Sequence, residues 1–127
     1  MTPQRTAGSA ALDVALAYHR AWTSKDVDGA LRLVDNAVVC DAPSGQLRGM
    51  EMYRPFLAGF APIVTGYEMI AALGDEETAV LVYDLHTLPV SSGLTCECFT
   101  VSDGRIARNR LIFDPTPYAA ARQRSGG

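Results

Sequence analysis

The chain has 127 residues, of which 48% are hydrophobic and 20% are charged, and its formal net charge is −3. This length fits one domain with a substantial core, and the composition is that of an ordinary globular protein. The basic residues form no run or stripe, which argues against nucleic acid as a partner. No apolar stretch reaches the roughly 20 residues that span a bilayer, so we expect no membrane partner.

The N-terminus and the cysteines indicate a reducing compartment. Residues 1–9 (MTPQRTAGS) lack a charged segment followed by an apolar one, so we predict no secretion signal and expect a cytoplasmic location. The three cysteines, Cys40, Cys96 and Cys98, are an odd number, which argues against a disulfide framework. Since only two histidines could complete a ligand set, we expect no metal and no cofactor, and we interpret the cysteines as small hydrophobic residues.

Three helices are predicted in the first half of the chain, after a disordered segment at 1–9. Apolar side chains recur at helical spacing over 10–23 and again after Asp26, a residue type that favours helix N-caps. A third helix is predicted over 50–60, where Pro55 should make the first turn irregular. The predicted inner faces of the three helices are Ala11, Ala15, Tyr18 and Trp22, then Val27, Ala30, Leu31 and Val34, and finally Tyr53, Phe56, Leu57 and Phe60.

Five strands are predicted from β-branched runs and from a period of two. The first covers 37–41 and ends at a turn formed by Pro43, Ser44 and Gly45. After Pro62 the spacing of apolar residues changes to that of strands. The Asp103-Gly104 pair predicts a tight hairpin turn. The four later strands are predicted at 64–73, 78–88, 94–102 and 105–114.

Helices followed by strands with short connections are typical of an α+β fold with a mainly antiparallel sheet. We expect one domain at 10–118, in which three helices pack on a strongly curved sheet and form a cone or barrel around a pocket. A mobile tail is expected at 119–127. Three helices cover only one face of the sheet. Because the strand at 78–88 is apolar in both phases, we expect a homodimer through the outer face.

Carboxylates interrupt three of the apolar strands: Asp41, Asp84 and Glu97. A buried carboxylate must be paired, hydrogen-bonded or neutralised, and such groups often carry out acid–base chemistry. The alternative is that each points to solvent, as alternation in a half-exposed sheet allows. Asp41 could instead start the turn at Pro43. The pattern alone leaves these alternatives open.

Several segments of the chain resemble the SnoaL-like and ketosteroid isomerase-like group of the nuclear-transport-factor-2-like superfamily. The resemblance covers roughly residues 10–118, and it implies an apolar pocket inside this fold. It is specific for the fold and not for the reaction, because the fold hosts isomerases, cyclases, epoxide hydrolases and non-enzymes. The segments are YHRAW at 18–22, DVDG at 26–29, DNAVVCDAP at 35–43, SDGRI at 102–106 and FDP at 113–115.

The resemblance implies catalytic roles for three residues. It places Tyr18 in an oxyanion hole, Asp41 as the general base, and Glu97 as the protonated acid that completes the oxyanion hole. Asp84 corresponds to an aspartate of the limonene epoxide hydrolases, and His86 is either a proton shuttle or a residue at the solvent-exposed rim.

The resemblance also sets which side of each strand faces the pocket. The limonene epoxide hydrolase pattern is incomplete, because Val82 and Leu111 replace two of its polar residues. His19, Cys96, Cys98, Arg108 and Arg110 are expected to face outward. The substrate-binding residues implied by this phase are Trp22, Tyr53, Phe56, Phe60, Val82, Phe99, Asn109, Leu111 and Phe113, of which Trp22 and Tyr53 also belong to the core.

These assignments predict a cofactor-independent enzyme that acts on a small, apolar, cyclic substrate by isomerisation, polyketide-type cyclisation or epoxide opening. The alternative is a non-catalytic ligand-binding or dimeric scaffold of the same fold, because Glu97 is longer than the aspartate it replaces. A protein-interaction adaptor that uses the open sheet face is a third possibility. A deep pocket in which Tyr18, Asp41 and Glu97 converge would favour the enzyme, whereas a collapsed pocket would favour the adaptor.

Overall fold

The computed structural model describes residues 9–126, with side chains described for residues 9–123. The fold is α+β, as predicted, but this part of the chain has four α-helices and six strands rather than three and five. The elements are α1 Ala10–Thr23, α2 Val27–Leu31, β1 Val34–Ala42, β2 Gly45–Arg48, α3 Met50–Phe60, a 3-10 turn Ala61–Ile63, β3 Val64–Gly74, β4 Thr78–Thr87, β5 Gly93–Ser102, β6 Arg105–Phe113 and α4 Thr116–Gly126.

The six strands form one mixed sheet in the order β2-β1-β6-β5-β4-β3. Neighbouring strands are antiparallel except β1 and β6, which are parallel. A parallel pair needs a long crossover, and α3 and four strands separate β1 from β6 in the chain. The sheet is open, with β2 and β3 as its edges, so the predicted closed barrel is wrong. The short strand β2 was not predicted, because four residues are too few to show alternation.

The helices cover one face of the sheet, which we call the inner face. In β4 the buried residues are Leu81, Tyr83 and Leu85 together with the small residues at either end, whereas Val82 and Asp84 are half-buried on the other side. The predicted phase of β4, with Asp84 and His86 inward, is therefore wrong. Both phases of this strand are apolar, so alternation could not distinguish them. The predicted phases of β5 and β6 agree with the structure.

Helix α1 buries the predicted stripe of Ala11, Ala15, Tyr18 and Trp22. It also buries His19, which is 1% exposed, so the expectation of a surface histidine is wrong. The imidazole ring contacts Tyr67 and Tyr83 edge-on, with ring centroids 4.5 Å apart in both cases. The buried stripe on α1 is therefore wider than predicted, and it packs against β3 and β4.

The two ends of the chain differ from what composition indicates. Residues 1–8 of the predicted disordered segment lie outside the described residues, whereas Ser9 is buried and its carbonyl accepts a hydrogen bond from the Asp13 amide. Helix α4 occupies most of the predicted tail. The Asp114 carboxylate accepts the Thr116 amide at 3.0 Å and caps this helix, which buries Tyr118 and Ala121.

The predicted hairpin turn at Asp103-Gly104 is confirmed. Both residues have positive φ, 53° and 76°, and Ser102 pairs with Arg105 across the turn. This left-handed backbone suits a tight turn between twisted strands, and Asp and Gly tolerate it.

No helix within residues 9–126 is long and apolar enough to cross a membrane.

Candidate functional site

A small aromatic cavity lies between α1, α3, α4 and the inner face of the sheet. Its volume is about 30 Å³. A space of this size holds about one water molecule, whereas sites for organic ligands measure roughly 300 to 1,000 Å³. The cavity is therefore almost closed in this structure. Its wall consists of Trp22, Phe56, Phe60, Tyr83, Leu85, Thr95, Glu97, Leu111, Phe113 and Tyr118.

Glu97 supplies the carboxyl group in this wall and is 3% exposed. The Tyr83 hydroxyl donates to its Oε1 at 2.6 Å, and Asn109 Nδ2 donates to its Oε2 at 2.8 Å. Burial raises the pKa of Glu97 above its ordinary value, and the two hydrogen bonds offset part of that rise. Glu97 is thus a proton-exchanging group fixed in position beside an apolar space.

A chain of buried polar groups continues from Glu97 into the core. Asn109 Nδ2 also donates to the Tyr53 hydroxyl at 3.2 Å, and the Tyr53 and Tyr18 hydroxyls form a hydrogen bond with each other. Burial raises the pKa of both phenols, so both stay neutral. Tyr18 therefore reaches Glu97 only through Tyr53 and Asn109, and it does not line the cavity.

Asp41 lies on the outer face of the sheet, away from the cavity. Its carboxylate accepts hydrogen bonds from Gln46 Nε2 at 2.8 Å and from Arg108 Nε and Nη2 at 3.0 and 2.6 Å. The Gln46 hydrogen bond and the Arg108 contacts hold the pKa of Asp41 below its ordinary value. The prediction that Asp41 converges with Tyr18 and Glu97 in one pocket is therefore wrong.

The neighbouring residue Cys40 takes the inner position on β1. It is fully buried, and burial raises the pKa of its thiol to about 12. A shift of one residue along a strand moves every side chain to the opposite face. The resemblance, which implied that Asp41 is the general base, thus placed the wrong side chain of β1 inward.

Asp84 and His86 also lie on the outer face, together with Val82. The Ser92 hydroxyl donates to both Asp84 oxygens at 2.8 and 2.9 Å, and His86 Nε2 is 3.6 Å from Asp84 Oδ2. Their expected position in the pocket is therefore wrong, because the opposite phase of β4 faces the helices. Within the described residues, no three His, Cys, Asp or Glu side chains are close enough to share a metal ion.

The remaining predicted residues fall into two groups. Trp22, Phe56, Phe60, Leu111 and Phe113 line the cavity beside Glu97, as expected. A second group, Tyr53, Phe99 and Asn109, is fully buried behind the wall and does not line it.

Four residues of the cavity wall were not predicted: Tyr83, Leu85, Thr95 and Tyr118. Tyr83 and Leu85 belong to the phase of β4 that was assigned outward. Thr95 is two residues before Glu97 on β5, so its alternation could have identified it. The sequence pattern could not identify Tyr118 as a wall residue, because α4 has no apolar stripe.

Some polar atoms around the cavity have no hydrogen-bond partner within the described residues. They are Trp22 Nε1, Asn109 Oδ1 and both ring nitrogens of His19. Buried polar atoms are usually paired. Trp22 lines the same cavity as Glu97, and its indole N–H is a buried donor without a partner among the described residues.

Comparison with known proteins places this geometry in a family. The model of the SnoaL-like domain matches residues 15–109, which is most of the chain. No curated protein matches the sequence. A crystal structure of a protein from Kribbella flavida is 48% identical, with a TM-score of 0.89, and the match covers 94% of this chain and 99% of that one.

Two more distant crystal structures share the fold. An NTF2-like protein of unknown function from Cytophaga hutchinsonii has a TM-score of 0.71 at 16% identity, over 84% of this chain and 92% of that one. A protein from Sinorhizobium meliloti, provisionally described as a polyketide cyclase, has a TM-score of 0.68 at 20% identity, over 79% and 94%. The chain therefore belongs to the SnoaL-like family.

Proposed function

We propose that this protein is a cofactor-independent enzyme that moves a proton on a small, mostly apolar substrate, with Glu97 as its acid–base group. The observation that carries the proposal is the position of Glu97. Its carboxyl is 3% exposed, forms part of an aromatic cavity wall, and is oriented by Tyr83 and Asn109. A carboxyl with a raised pKa in a dry site is suited to proton transfer near neutral pH.

A carboxyl and an unpartnered N–H donor on residues that line the same cavity favour enolisation. The ionised form of Glu97 removes a proton from the carbon next to a carbonyl, which leaves an enolate and neutral Glu97. The Trp22 indole N–H, which has no other described partner, donates to the enolate oxygen. Return of the proton to another carbon gives isomerisation. Attack of the enolate carbon on a second carbonyl of the same molecule gives cyclisation, in which the proton on Glu97 passes to the new alkoxide oxygen.

The other predicted site residues take supporting roles or none. Tyr53 and Tyr18 position Asn109 through the buried hydrogen-bond chain. Epoxide opening needs a second group that activates water, and the candidates for it, Asp84 and His86, lie on the outer face. The proposed chemistry is therefore isomerisation or cyclisation.

The small size of the cavity favours a second candidate function, which is ligand binding without turnover. A volume of about 30 Å³ cannot hold an organic substrate unless the wall opens. If the chain is a binding or scaffold protein, Glu97 is a hydrogen-bonding group for its ligand.

Solvent deuterium exchange distinguishes the two functions. In deuterium oxide, the protein is expected to catalyse deuterium incorporation next to the carbonyl of cyclic ketones such as β-tetralone, as measured by proton NMR. Exchange requires only proton removal and return, so the natural substrate need not be known. Saturable binding of the same ketones without any exchange above the protein-free rate would contradict the enzyme and support the binding protein.

We also infer a homodimer through the outer face of the sheet. Apolar side chains of β3, β4, β5 and β6 are adjacent on this face, since Leu73 pairs with Val80, Val82 with Cys96, and Cys96 with Ile112. Leu73 and Ile112 are 67% and 64% exposed. A contiguous exposed apolar patch is typical of a protein–protein interface. We define the outer-face patch as Leu73, Val80, Val82, Leu94, Cys96, Cys98 and Ile112.

The variant Ile112→Lys tests this interface. A charge in the middle of the outer-face patch should convert the dimer to a monomer in light scattering at micromolar concentration, because an unpaired buried charge is costly. Leu88→Lys is the matched control, since Leu88 is 75% exposed in the loop after β4 and lies outside the patch. A wild-type monomer, or an Ile112→Lys dimer, would exclude this interface.

A further inference from the structure

The cavity that contains Glu97 is separated from a larger groove by a partition of aromatic rings. Phe56, Phe60 and Tyr118 line both the cavity and an open groove of about 680 Å³. The wall of this groove also includes Ala121 and Arg122 of α4. The groove is large enough by itself to hold an organic ligand, whereas the cavity is not.

Tyr118 is the central ring of the partition. Its ring centroid is 5.5 Å from that of Phe60 and 5.6 Å from that of Phe113, and both pairs meet edge-on. It also borders a third space, a groove of about 240 Å³ on the side of Phe113. Tyr118 therefore borders all three spaces, and displacement of this one side chain would widen the connection between the cavity and both grooves.

The position of Tyr118 depends on a glycine. A Cβ atom added at Gly93 would be 3.1 Å from the Tyr118 hydroxyl oxygen, which is closer than ordinary van der Waals contact. Gly93 is the first residue of β5, so a small residue there provides the space that the hydroxyl occupies. Phe56 and Phe60, in contrast, belong to α3, which the buried residues Tyr53 and Leu57 hold against the core.

The larger groove combines an apolar wall with one charged side chain. Phe56, Phe60, Ile63 and Pro89 give the groove an apolar lining, and Arg122 supplies a positive charge. None of the ion pairs among the described side chains involves Arg122. A cation next to an apolar groove is complementary to a molecule that has an apolar body and an anionic end.

We propose that the cavity and the larger groove are two halves of one binding site, and that movement of Tyr118 opens it to an elongated ligand. The ligand class is a planar apolar molecule with an anionic group at one end. Its body lies between the rings and reaches Glu97, and its anionic end pairs with Arg122. This inference rests on the proposed site at Glu97, but it does not require Glu97 to be catalytic.

Two fluorescent probes of similar shape test the ligand class. Anilinonaphthalene sulfonate has an apolar body with an anionic group, and phenylnaphthylamine has the same kind of body without the charge. Arg122→Gln should weaken binding of the sulfonate by roughly threefold and leave binding of the neutral probe unchanged. Arg32→Gln, which changes an exposed arginine outside this groove, is the control and should affect neither probe.

Tyr118→Ala tests the partition. Stopped-flow fluorescence should show association of both probes accelerated by roughly tenfold, because the open form no longer has to be populated first. Gly93→Ala crowds the Tyr118 hydroxyl but keeps the Tyr118 ring. It should also accelerate association of both probes. The folded state of each variant is checked by circular dichroism, so that exposure of the core is not mistaken for opening.

The outcomes separate this inference from the proposed function. Unchanged association in both Tyr118→Ala and Gly93→Ala would overturn the partition, and equal effects of Arg122→Gln on both probes would overturn the anionic end. Either result would leave solvent exchange by Glu97 untouched. Conversely, a protein that shows no exchange but responds to these variants as expected would keep this binding site and lose the proposed reaction.

Discussion

Replacement of Glu97 by glutamine is expected to slow solvent exchange into the ketone by a factor of about 10² to 10⁴. The amide has nearly the same shape as the carboxyl but cannot accept or return a proton at the cavity wall. Its oxygen can still accept from Asn109, and its NH₂ group can donate to the Tyr83 hydroxyl, so the fold should be retained. Initial rates of deuterium incorporation, measured by NMR at equal protein concentration, give the factor.

Asp41→Asn is the matched control for this experiment. It also exchanges a carboxylate for an amide, but on the outer face, where Asp41 pairs with Arg108. Its exchange rate should stay within about twofold of wild type, because surface ion pairs contribute little and Asp41 does not reach the cavity. Loss of exchange in Asp41→Asn but not in Glu97→Gln would contradict the assignment of the acid–base group.

The Glu97 variant should also change how stability depends on pH. Because burial raises the pKa of Glu97 above 4.5, the folded protein keeps this proton at pH values where the unfolded chain has lost it. The wild-type free energy of unfolding therefore falls as pH rises above about 4.5, until the raised pKa is passed. Urea denaturation at a series of pH values should show that Glu97→Gln lacks this fall. Parallel curves for both proteins would mean that the pKa of Glu97 is not raised.

The second large effect is expected at His19. Burial, reinforced by the charge of Arg20, lowers the pKa of this imidazole from 6.5 to about 4. Between these values the unfolded chain is protonated at His19 and the folded protein is not, so stability is lost as pH falls through this window. The loss amounts to about 3 kcal/mol in full. His19→Phe should remove it, as measured by urea denaturation between pH 7 and pH 4.

His19→Phe should also stabilise the protein at neutral pH, by about 1 kcal/mol. Neither ring nitrogen of His19 has a described hydrogen-bond partner, so the imidazole is a buried polar group among aromatic rings. A phenyl ring keeps the edge-on contacts with Tyr67 and Tyr83 and removes the unpaired polar atoms.

His19→Gln separates the two effects. It removes the titration but keeps a polar group in the core, so it should abolish the pH dependence without the gain at pH 7. A His19→Phe protein that is less stable than wild type at pH 7, with an unchanged dependence on pH, would show that His19 makes a polar contact that stabilises the fold.

The sequence by itself determined three of the helices, five of the strands and much of the core, but not β2 or α4. Helical spacing identified Tyr18 and Trp22, and the Asp103-Gly104 pair fixed a hairpin, because these signals depend only on neighbours in the chain. The family resemblance set the phase of β5 and β6 and correctly placed Glu97 and Asn109 inward. Resemblance to a family then identified the fold, which the structure and the family match confirm.

Only the tertiary structure decided which side of β1 and β4 faces the helices. Both phases of β4 are apolar, and the predicted part of β1 was only 37–41, so alternation had no polar face to mark as outward. As a result, Asp41, Asp84 and His86 lie outside the site, and Tyr83 lies in it. The role of Tyr118 also required the folded chain, since a residue in a helix without an apolar stripe closes the cavity through rings that are distant in sequence.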